Sequence, residues 1–384
     1  MELTKCKLGE LITQRREKND GSDLPICGVS KDGLIPPKQK DADTSIYNVF
    51  YRDDFIFNPA RMELNSIAIN DMYDRAICSS LYEVFYVHRT DLLLPHYLEL
   101  IIRQKWFTRY CKFLGQGSAR EYCRFGNISE IEIEFPPIEE QQKIVEYNTA
   151  IENRIALKQK INDNLVAVGT ASIQKNVGRG ALINLTEAEM DSLTFPEDFK
   201  VKTVSEFCAE TKSGSTPSRI NNEYWENGTI SWVKSGEVHN NITLQTEEYI
   251  TPLGLSESST KLLPKDTVLM AMYGVTAGEV GYLAIEATTN QAICGMICRS
   301  KAEAAYLYFS LIQSQAKISR LSNGGAQDNL SKNFIDNIKI AVPPSEFIEK
   351  LNLAAIVEQM TLNTKEITLL EELQATVLAQ LSSH

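Results

Sequence analysis

Apolar and polar residues alternate in two short segments, IEIEF (131–135) and IKIAV (338–342), and two prolines follow each segment. Strict alternation over about five residues is typical of a β-strand with one buried face. The runs after the prolines, 138–175 and 343–384, instead carry apolar residues at helical spacing. Proline fits the first turn of a helix, and the acids that follow it favour the positive end of the helix dipole. The pattern therefore predicts, twice, a strand followed by a long helix.

The chain repeats itself at a fixed distance. GSAREYCRFGNISEIEIEFPP (117–137) aligns without a gap with GGAQDNLSKNFIDNIKIAVPP (324–344), 207 residues further on. Shorter segments recur in the same order at other offsets, which predicts a shared framework with inserted loops. These pairs are KLGEL (7–11) with TVSEF (203–207), DDFIFN (53–58) with KDTVLM (265–270), RAIC (75–78) with QAIC (291–294), and YLELII (97–102) with YLYFSL (306–311).

Both halves combine predicted strands with predicted helices. Val-, Ile-, Tyr- and Thr-rich segments between Gly and Pro, such as ISWV (230–233) and TVLMAMYG (267–274), predict short strands. The segments 97–111 and 302–321 predict one helix in each half. The fold class is therefore α+β, with head 1 at 1–137, a long helix at 138–175, a connector at 176–200, head 2 at 201–342 and a second long helix at 343–384.

The two long helices each carry a row of apolar residues that must be buried against another surface. A helix of this length reaches roughly 50 Å, which is longer than a small domain is wide. The first helix leads from head 1 to head 2, and the second starts at head 2 and can run back. We therefore expect the helices to pair as an antiparallel coiled coil and the two halves to be related by an approximate two-fold axis. The alternative is that each helix packs on its own head.

The net charge of −11 over 384 residues at first argues against a nucleic-acid partner, because DNA is approached with Lys and Arg that displace its counterions. The charge is unevenly distributed, however. Each head has a net charge of only −2, and most of the excess acid lies in the connector and the last helix. The segment 103–124 carries six basic residues and one acid. A basic face on each head therefore remains possible.

Several classes of protein lack their sequence signals here. No stretch approaches the roughly 18 apolar residues of a membrane span, and the charged N-terminal segment does not resemble a secretory signal, so a cytosolic protein is expected. The eight cysteines are scattered, which favours buried free thiols over a metal or redox role. The four histidines are not spaced with cysteine or carboxylate as a zinc site requires.

No catalytic motif is evident either. The sequence has no GxxxxGK[ST] phosphate loop. The adjacent acids Asp53 and Asp54 would point to opposite faces of a strand, so we predict a turn or a strand start there rather than part of a nuclease carboxylate cluster. No catalytic residue and no metal ligand is predicted.

Head 2 contains a characteristic series of segments: SGSTPSR (213–219), NEYWENGTISWVKSGE (222–237), GLSESSTKLLPKDTVLMAMYGVTAGEVG (254–281), TTNQAIC (288–294) and GGAQDNLS (324–331). In this order, and with the repeated Pro-Pro–helix junction, they resemble the specificity subunit of type I restriction-modification systems. The resemblance spans essentially the whole chain. Head 1 departs from the pattern, because it has no YW…ISW segment and has REYCRFG (120–126) where head 2 has QDNLSKN (327–333).

The resemblance implies a division of labour. Each head would be a target-recognition domain that reads one half of an asymmetric, bipartite site in double-stranded DNA, and the chain itself would be no enzyme and bind no cofactor. The helices would dock two methyltransferase subunits, on which S-adenosylmethionine is expected, and restriction and motor subunits would join the complex. Two heads on a spacer suit half-sites about one helical turn, roughly 34 Å, apart. The alternatives are a two-headed scaffold that binds proteins rather than DNA, and a self-sufficient modification enzyme.

Candidate DNA-contacting residues follow from their chemistry, since Ser, Thr and Lys hold phosphates whereas Arg, Lys, Asn and Gln read base edges. In head 2 we predict phosphate contacts from Ser215, Thr216, Ser218, Arg219, Lys234, Ser259 and Lys261, and base readers at Tyr273, Thr276 and Gln327. In head 1, charge and repeat position select Arg61, Arg75, Arg109, Arg120 and Arg124, each with a solvated surface arginine as the alternative.

Two further groups have a structural interpretation beside the functional one. Turn geometry with positive φ is favoured over ligand contact for Gly274, Gly278, Gly281, Gly324 and Gly325. For Asn290 and Gln291, a hydrogen bond within the head competes with contact to DNA.

Overall fold

The computed structural model describes residues 3–31, 33–37, 43–115, 122–183, 196, 198–239, 242–322 and 329–382. The chain divides into two compact units. Unit 1 consists of Met1–Arg154 and Leu370–His384, and unit 2 consists of Ile155–Leu369. Head 1 belongs to unit 1 and head 2 to unit 2. Both mix sheets with helices, as the α+β prediction requires.

The described part of head 1 is built on three sheets. A four-stranded sheet has the order β2-β9-β6-β7, a second has the order β4-β3-β8-β5, and β1 pairs with β10. The apolar positions predicted for these segments are buried between the sheets and the helices. The strands are β1 Thr4–Lys7, β2 Ile12–Arg15, β3 Ile26–Ser30, β4 Gly33–Ile35, β5 Asn48–Tyr51, β6 Phe55–Phe57, β7 Ile67–Ile69, β8 Arg75–Cys78, β9 Glu83–Val87 and β10 Glu132–Phe135.

The helix predicted over 97–111 is two helices in the structure. Helix α1 is Pro95–Ile102, α2 is Lys105–Gly115, and a short α3, Phe125–Ser129, precedes β10. The chain turns at Gln104, whose backbone N–H bonds the Ile101 carbonyl at 3.0 Å and whose side-chain amide donates to the Leu100 carbonyl at 3.2 Å. These bonds satisfy carbonyls that a continuing helix would have used, so α1 ends there.

Head 2 has a larger central sheet. Five strands have the order β13-β20-β17-β18-β15, and two three-stranded sheets have the orders β16-β14-β19 and β11-β21-β12. The strands are β11 Ala181–Leu182, β12 Lys200–Thr203, β13 Glu210–Ser213, β14 Ile230–Val233, β15 Ile242–Thr243, β16 Glu248–Ile250, β17 Thr267–Ala271, β18 Val280–Leu283, β19 Thr288–Thr289, β20 Ile293–Ile297 and β21 Lys339–Val342. In chain order, a long helix α4, Ile138–Asn176, is followed by α5 Val204–Phe207, α6 Pro252–Ser256, α7 Lys301–Ser322 and α8 Lys332–Asp336.

The repeat at 207 residues is exact in the structure. Adding 207 to the bounds of α3 and β10 gives the bounds of α8 and β21. Ile128 and Ile335, which are equivalent, are both completely buried. The predicted pairing of KLGEL with TVSEF is also confirmed, because the backbone N–H groups of Leu8 and Val204 bond equivalent carbonyls, at 2.8 and 2.9 Å.

The pairing of RAIC with QAIC, in contrast, is wrong. RAIC forms β8 in the second sheet of head 1, between β3 and β5, whereas QAIC leads into β20 of the central sheet of head 2. The true counterpart of β20 is β9, since β9 lies between β2 and β6 just as β20 lies between β13 and β17. A short apolar match reflects burial that any central strand shares, and it does not specify the neighbours of a strand.

The two long helical runs form largely as predicted. Helix α4 is continuous over Ile138–Asn176. The second run is interrupted, with α9 at Ser345–Lys350 and α10 at Leu353–Ser382. The interruption lies at Asn352, whose φ of 53° is left-handed and ends the first segment.

Helices α4 and α10 contact each other in both units, and the contacts within unit 2 run antiparallel. In unit 2, Lys158 pairs with Glu366 at 2.8 Å, and the buried Asn162 accepts a hydrogen bond from Asn363 at 2.9 Å. In unit 1, the Gln374 amide donates to Asn148 at 3.0 Å. The alternative interpretation also holds locally, because residues near the start of α4 pack on the core of head 1 and residues near the start of α10 belong to the core of head 2. The coiled coil and the two-fold symmetry stay predictions.

Candidate nucleic-acid interface

One end of the central sheet in head 2 gathers the loops that carry most of the predicted contacts. The register pairs Ser213 with Cys294, Ala271 with Ile293, and Met270 with Val280. Because these strands are antiparallel, the ends of β13 and β17 lie beside the starts of β18 and β20. We call this edge sheet end 2. Segments far apart in the sequence, such as those ending at Ser213 and starting at Ile293, therefore meet there.

The loop after β13 brings three predicted phosphate contacts together. The hydroxyls of Ser215 and Ser259 lie 2.8 Å apart, and the Thr216 hydroxyl donates to Oε1 of Gln291 at 2.6 Å. The Ser215 N–H bonds the Thr289 carbonyl at 2.9 Å, which fixes the loop against β19. Serine and threonine hydroxyls held in this way can rotate to donate to a phosphate oxygen.

Arg219 is held by aromatic rings and a carboxylate. Its guanidinium carbon lies 3.7 Å from the ring centre of Trp225 and 4.9 Å from that of Trp232, and its Nη2 lies 2.6 Å from Glu248. The Trp232 indole N–H donates to the Ser215 carbonyl at 3.1 Å. Arg219 therefore belongs to the same assembly as the Ser215 loop.

Lys234 has acidic partners as well. Its ammonium contacts Glu247 at 2.5 Å and Glu248 at 3.6 Å. The hydrogen bond to Glu247 raises the pKa of Lys234, so the side chain is charged at neutral pH. Since Glu247 and Glu248 already balance Arg219 and Lys234, a phosphate would have to compete with these carboxylates. The sequence analysis did not identify the acids that pair with these cations or the two tryptophans that surround Arg219, although the YW…ISW segment contains both tryptophans.

The turn after β17 presents its tip to solvent. Gly274 and Gly278 have φ values of 75° and 89°, so the turn interpretation holds for both. Gly281 lies in β18 opposite Leu269, without positive φ, so that interpretation is wrong for it. Gly324, Gly325 and Gln327 lie outside the described residues. The next described part of that chain returns to the same place, where the Leu330 N–H bonds the Met272 carbonyl at 2.8 Å.

The remaining predicted residues of head 2 differ in exposure and in their hydrogen bonds. Tyr273 and Lys261 are exposed, Thr276 is half-buried, and Lys261 has no ion pair with the residues that the structure describes. Ser218 accepts the Trp225 indole N–H through its carbonyl at 3.1 Å. Asn290 accepts the Ala292 N–H at 3.0 Å, which favours its structural interpretation.

Head 1 has a cleft at the equivalent position. The ends of β2 and β6 lie beside the starts of β7 and β9, and we call this edge sheet end 1. A cleft of about 1060 Å³ opens there between this edge and the second sheet. It is lined by β3 and β4 of that sheet, and also by the turn after β6, the start of β9 and the segment that precedes α3. The Cys123 N–H bonds the Pro59 carbonyl at 3.0 Å, and Cys123 is equivalent to Leu330 of head 2. The two heads therefore place equivalent segments at equivalent sheet ends.

The cleft contains two of the predicted arginines. Arg61 and Arg124 both line it, and Arg124 also contacts Glu83 at 3.3 Å. Arg75 lies elsewhere, at the start of β8, where it contacts Glu17 and Asp20 at 3.5 and 3.4 Å. Arg109 is exposed on α2 away from the cleft lining, and Arg120 lies outside the described residues. The structure thus brings Arg61 and Arg124 together and separates them from Arg75.

Gly214 is required by the close approach of two backbone segments at sheet end 2. A Cβ at this position would lie 2.2 Å from the Thr289 carbonyl oxygen and 2.3 Å from that of Asn290. We expect Gly214→Ala to lower the free energy of unfolding by about 1–3 kcal/mol in urea denaturation, because backbone atoms must shift. Gly236→Ala is the control, since no atom lies within 4 Å of its Cβ. Equal effects of the two substitutions would contradict this account.

The described residues form neither a membrane span nor a metal site. No helix there is long and apolar enough to cross a membrane. Within the same residues, no three His, Cys, Asp or Glu side chains are grouped as a metal site requires. All eight cysteines are free thiols. Six are buried as predicted, whereas Cys6 and Cys298 are half-buried.

Two known proteins with similar sequences are both specificity subunits of type I restriction enzymes. The chain is 25% identical over 200 residues to the specificity subunit of the type I restriction enzyme EcoR124I/EcoR124II of Escherichia coli, covering 51% of this chain and 46% of that protein. It is 22% identical over 357 residues to the HindI specificity subunit of Haemophilus influenzae, covering 76% and 77%. The first of these alignments thus spans less than half of that relative's length.

The fold has a counterpart among solved structures. The crystal structure of a type I restriction-modification S subunit from M. genitalium superposes with a TM-score of 0.59 at 15% identity, covering 99% of this chain and 96% of that chain. At this identity the likeness concerns the fold alone.

A family model matches the chain twice. The model describes the type I restriction modification DNA specificity domain, and its matches cover residues 9–167 and 196–375. Each match covers most of one head and most of the long helix that follows it. Because the two matches together cover most of the sequence, the chain belongs to the family of type I restriction modification DNA specificity domain proteins.

Proposed function

We propose that sheet end 1 and sheet end 2 are the DNA-reading surfaces of the two heads, and that each reads one half of a bipartite site. The observation that carries this proposal is the equivalence of the two ends. In both heads the loop after β6 or β17 meets the segment that precedes α3 or α8, through the bonds from Cys123 to Pro59 and from Leu330 to Met272. Around this shared framework the exposed side chains differ, which suits two surfaces that read different bases.

The chemistry of the two surfaces supports DNA as the ligand. Sheet end 2 offers the hydroxyls of Ser215, Thr216 and Ser259, which suit phosphate oxygens. Sheet end 1 offers two arginines in a cleft, and arginine is the commonest reader of guanine in the major groove. The acids near these cations lower the net attraction for phosphate, so binding would depend on shape and base contacts as well as on charge.

Specificity subunits of type I restriction-modification systems are non-catalytic, and the chemistry is supplied by other subunits. We propose that two methyltransferase subunits dock on the paired helices and bring S-adenosylmethionine, that this chain binds no cofactor itself, and that restriction and motor subunits complete the assembly. We also propose that the protein acts in the cytosol. The ordered polar contacts between α4 and α10, such as Asn162 with Asn363, would keep the docking surface in one register.

The decisive experiment is to purify this chain with and without the methyltransferase encoded beside it and to map methylated adenines. We expect a bipartite motif with the complex and no methylation by the chain alone with S-adenosylmethionine. Methylation by the isolated chain would favour a self-sufficient enzyme. A complex whose gel shift is absent or insensitive to salt would favour a protein-binding scaffold.

A further inference from the structure

The cleft at sheet end 1 contains an arginine whose surroundings are unusual for a solvated side chain. Nη1 of Arg124 lies 3.3 Å from Oε1 of Glu83, and the guanidinium carbon lies 5.4 Å from the ring centre of Tyr122. The side chain is nevertheless 66% exposed. Its Nη2 and Nε make no hydrogen bond to the part of the chain that the structure describes, and the residue lines the cleft.

Glu83 is a rigid anchor for this arginine. It is only 15% exposed, its Oε2 accepts the Phe125 backbone N–H at 2.7 Å, and the Gln14 amide donates to it at 3.3 Å. The backbone of Arg124 is fixed too, since its N–H donates to the Asn127 side chain at 2.9 Å at the start of α3. Both the root of the side chain and its carboxylate partner are therefore held by other contacts.

These surroundings favour a base edge over a phosphate. A carboxylate 3.3 Å from the guanidinium repels a phosphate group, whereas it leaves the remaining N–H donors available to neutral acceptors. The O6 and N7 atoms of guanine form the acceptor pair that an arginine edge matches. Of the two arginines that line the cleft, Arg124 is the one aligned for such a contact by both an acid and an aromatic ring.

We propose that Arg124 reads a guanine in the half-site of head 1, with Glu83 and Tyr122 as its positioning residues. This inference rests on the proposed function. The residue equivalent to Arg124 in head 2 is Ser331, whose hydroxyl accepts the Phe334 N–H at the start of α8. Head 2 therefore has no arginine at this position, and we expect its half-site to be read differently there.

The test uses the complex of the full chain with its methyltransferase. We expect Arg124→Ala to reduce discrimination for guanine at one position of one half-site by roughly 10- to 100-fold in methylation mapping, with the other half-site unchanged. Arg124→Lys keeps the charge but not the two-pronged geometry, and should relax the same position. Arg89→Ala is the matched control, because Arg89 is an exposed arginine paired with Asp91 at 2.8 Å and does not line the cleft.

Glu83→Gln tests the positioning role. It should weaken discrimination at the same base pair in the wild-type background and have no further effect when combined with Arg124→Ala. If Arg124 held a phosphate instead, Glu83→Gln would strengthen binding to all sequences and Arg124→Ala would weaken it uniformly, which would overturn the proposal. An unchanged motif for Arg124→Ala would also overturn it, while a wild-type complex without a bipartite motif would contradict the proposed function itself.

Discussion

Replacing Trp232 with alanine is expected to lower the free energy of unfolding by about 3–5 kcal/mol, the range typical of deleting a buried aromatic side chain. The ring is 3% exposed and packs edge-on against Trp225, with 5.0 Å between the ring centres. The same side chain supports Arg219 and holds the Ser215 carbonyl. The variant should therefore also weaken the arrangement of sheet end 2. Urea denaturation followed by circular dichroism measures the first effect.

A second variant separates packing from hydrogen bonding. Trp232→Phe keeps an aromatic ring in the same place but removes the indole N–H, so we expect it to cost about 1–2 kcal/mol. If Trp232→Phe destabilised the protein as strongly as Trp232→Ala, the hydrogen bond to Ser215 rather than the ring packing would dominate. A small effect of Trp232→Ala would show that the indole contributes little to the stability of head 2.

Removing the carboxylate of Asp54 is expected to cost about 3–4 kcal/mol, because it leaves the Arg15 guanidinium without its partner. Asp54 is 1% exposed and accepts two hydrogen bonds from Arg15, at 2.6 and 3.0 Å. It also accepts the Tyr51 N–H at 2.7 Å, and Arg15 lies between the rings of Tyr51 and Tyr86. Burial raises the pKa of Asp54 more than Arg15 lowers it, so the carboxylate depends on these hydrogen bonds. The measurement is the urea midpoint of Asp54→Ala.

Asp53 provides the matched control for this prediction. Its side chain is 51% exposed and its φ is 66°, a conformation that asparagine tolerates. Asp53→Asn should change the free energy of unfolding by less than about 0.5 kcal/mol. The two acids lie in the turn that precedes β6, which confirms the predicted turn or strand start, and their environments differ sharply. Equal urea midpoints for Asp54→Ala and Asp53→Asn would refute the structural role of the ion pair.

The ion pairs in the structure explain more about DNA binding than the net charge of the chain does. Lys234 pairs with Glu247 and Glu248, and Glu248 also pairs with Arg219. Arg124 pairs with Glu83. Paired cations of this kind contribute less long-range attraction to DNA than free ones, but they hold fixed orientations. For a protein that must distinguish sequences, orientation matters more than non-specific affinity, because phosphate contacts carry no sequence information.

The sequence by itself determined the features that local patterns encode. The strand before each Pro-Pro pair and the helix that follows it depend on local periodicity and proline geometry. The 207-residue repeat is visible because the same local pattern occurs twice, from α3 to β10 and from α8 to β21. The family resemblance likewise rested on the order of segments along the chain. Turn glycines such as Gly274 and Gly278 were predictable, because few other residues adopt positive φ.

Only the tertiary structure decided which segments meet. Strand pairing placed Thr216 beside Gln291, put Arg124 in the cleft with Arg61, and moved Arg75 into a different sheet. It also gave the RAIC and QAIC segments different neighbouring strands despite their similar sequences. The physical reason is that sheet order and register join residues far apart in sequence, and the partners of a charged side chain are set by that order rather than by its own neighbours in the chain.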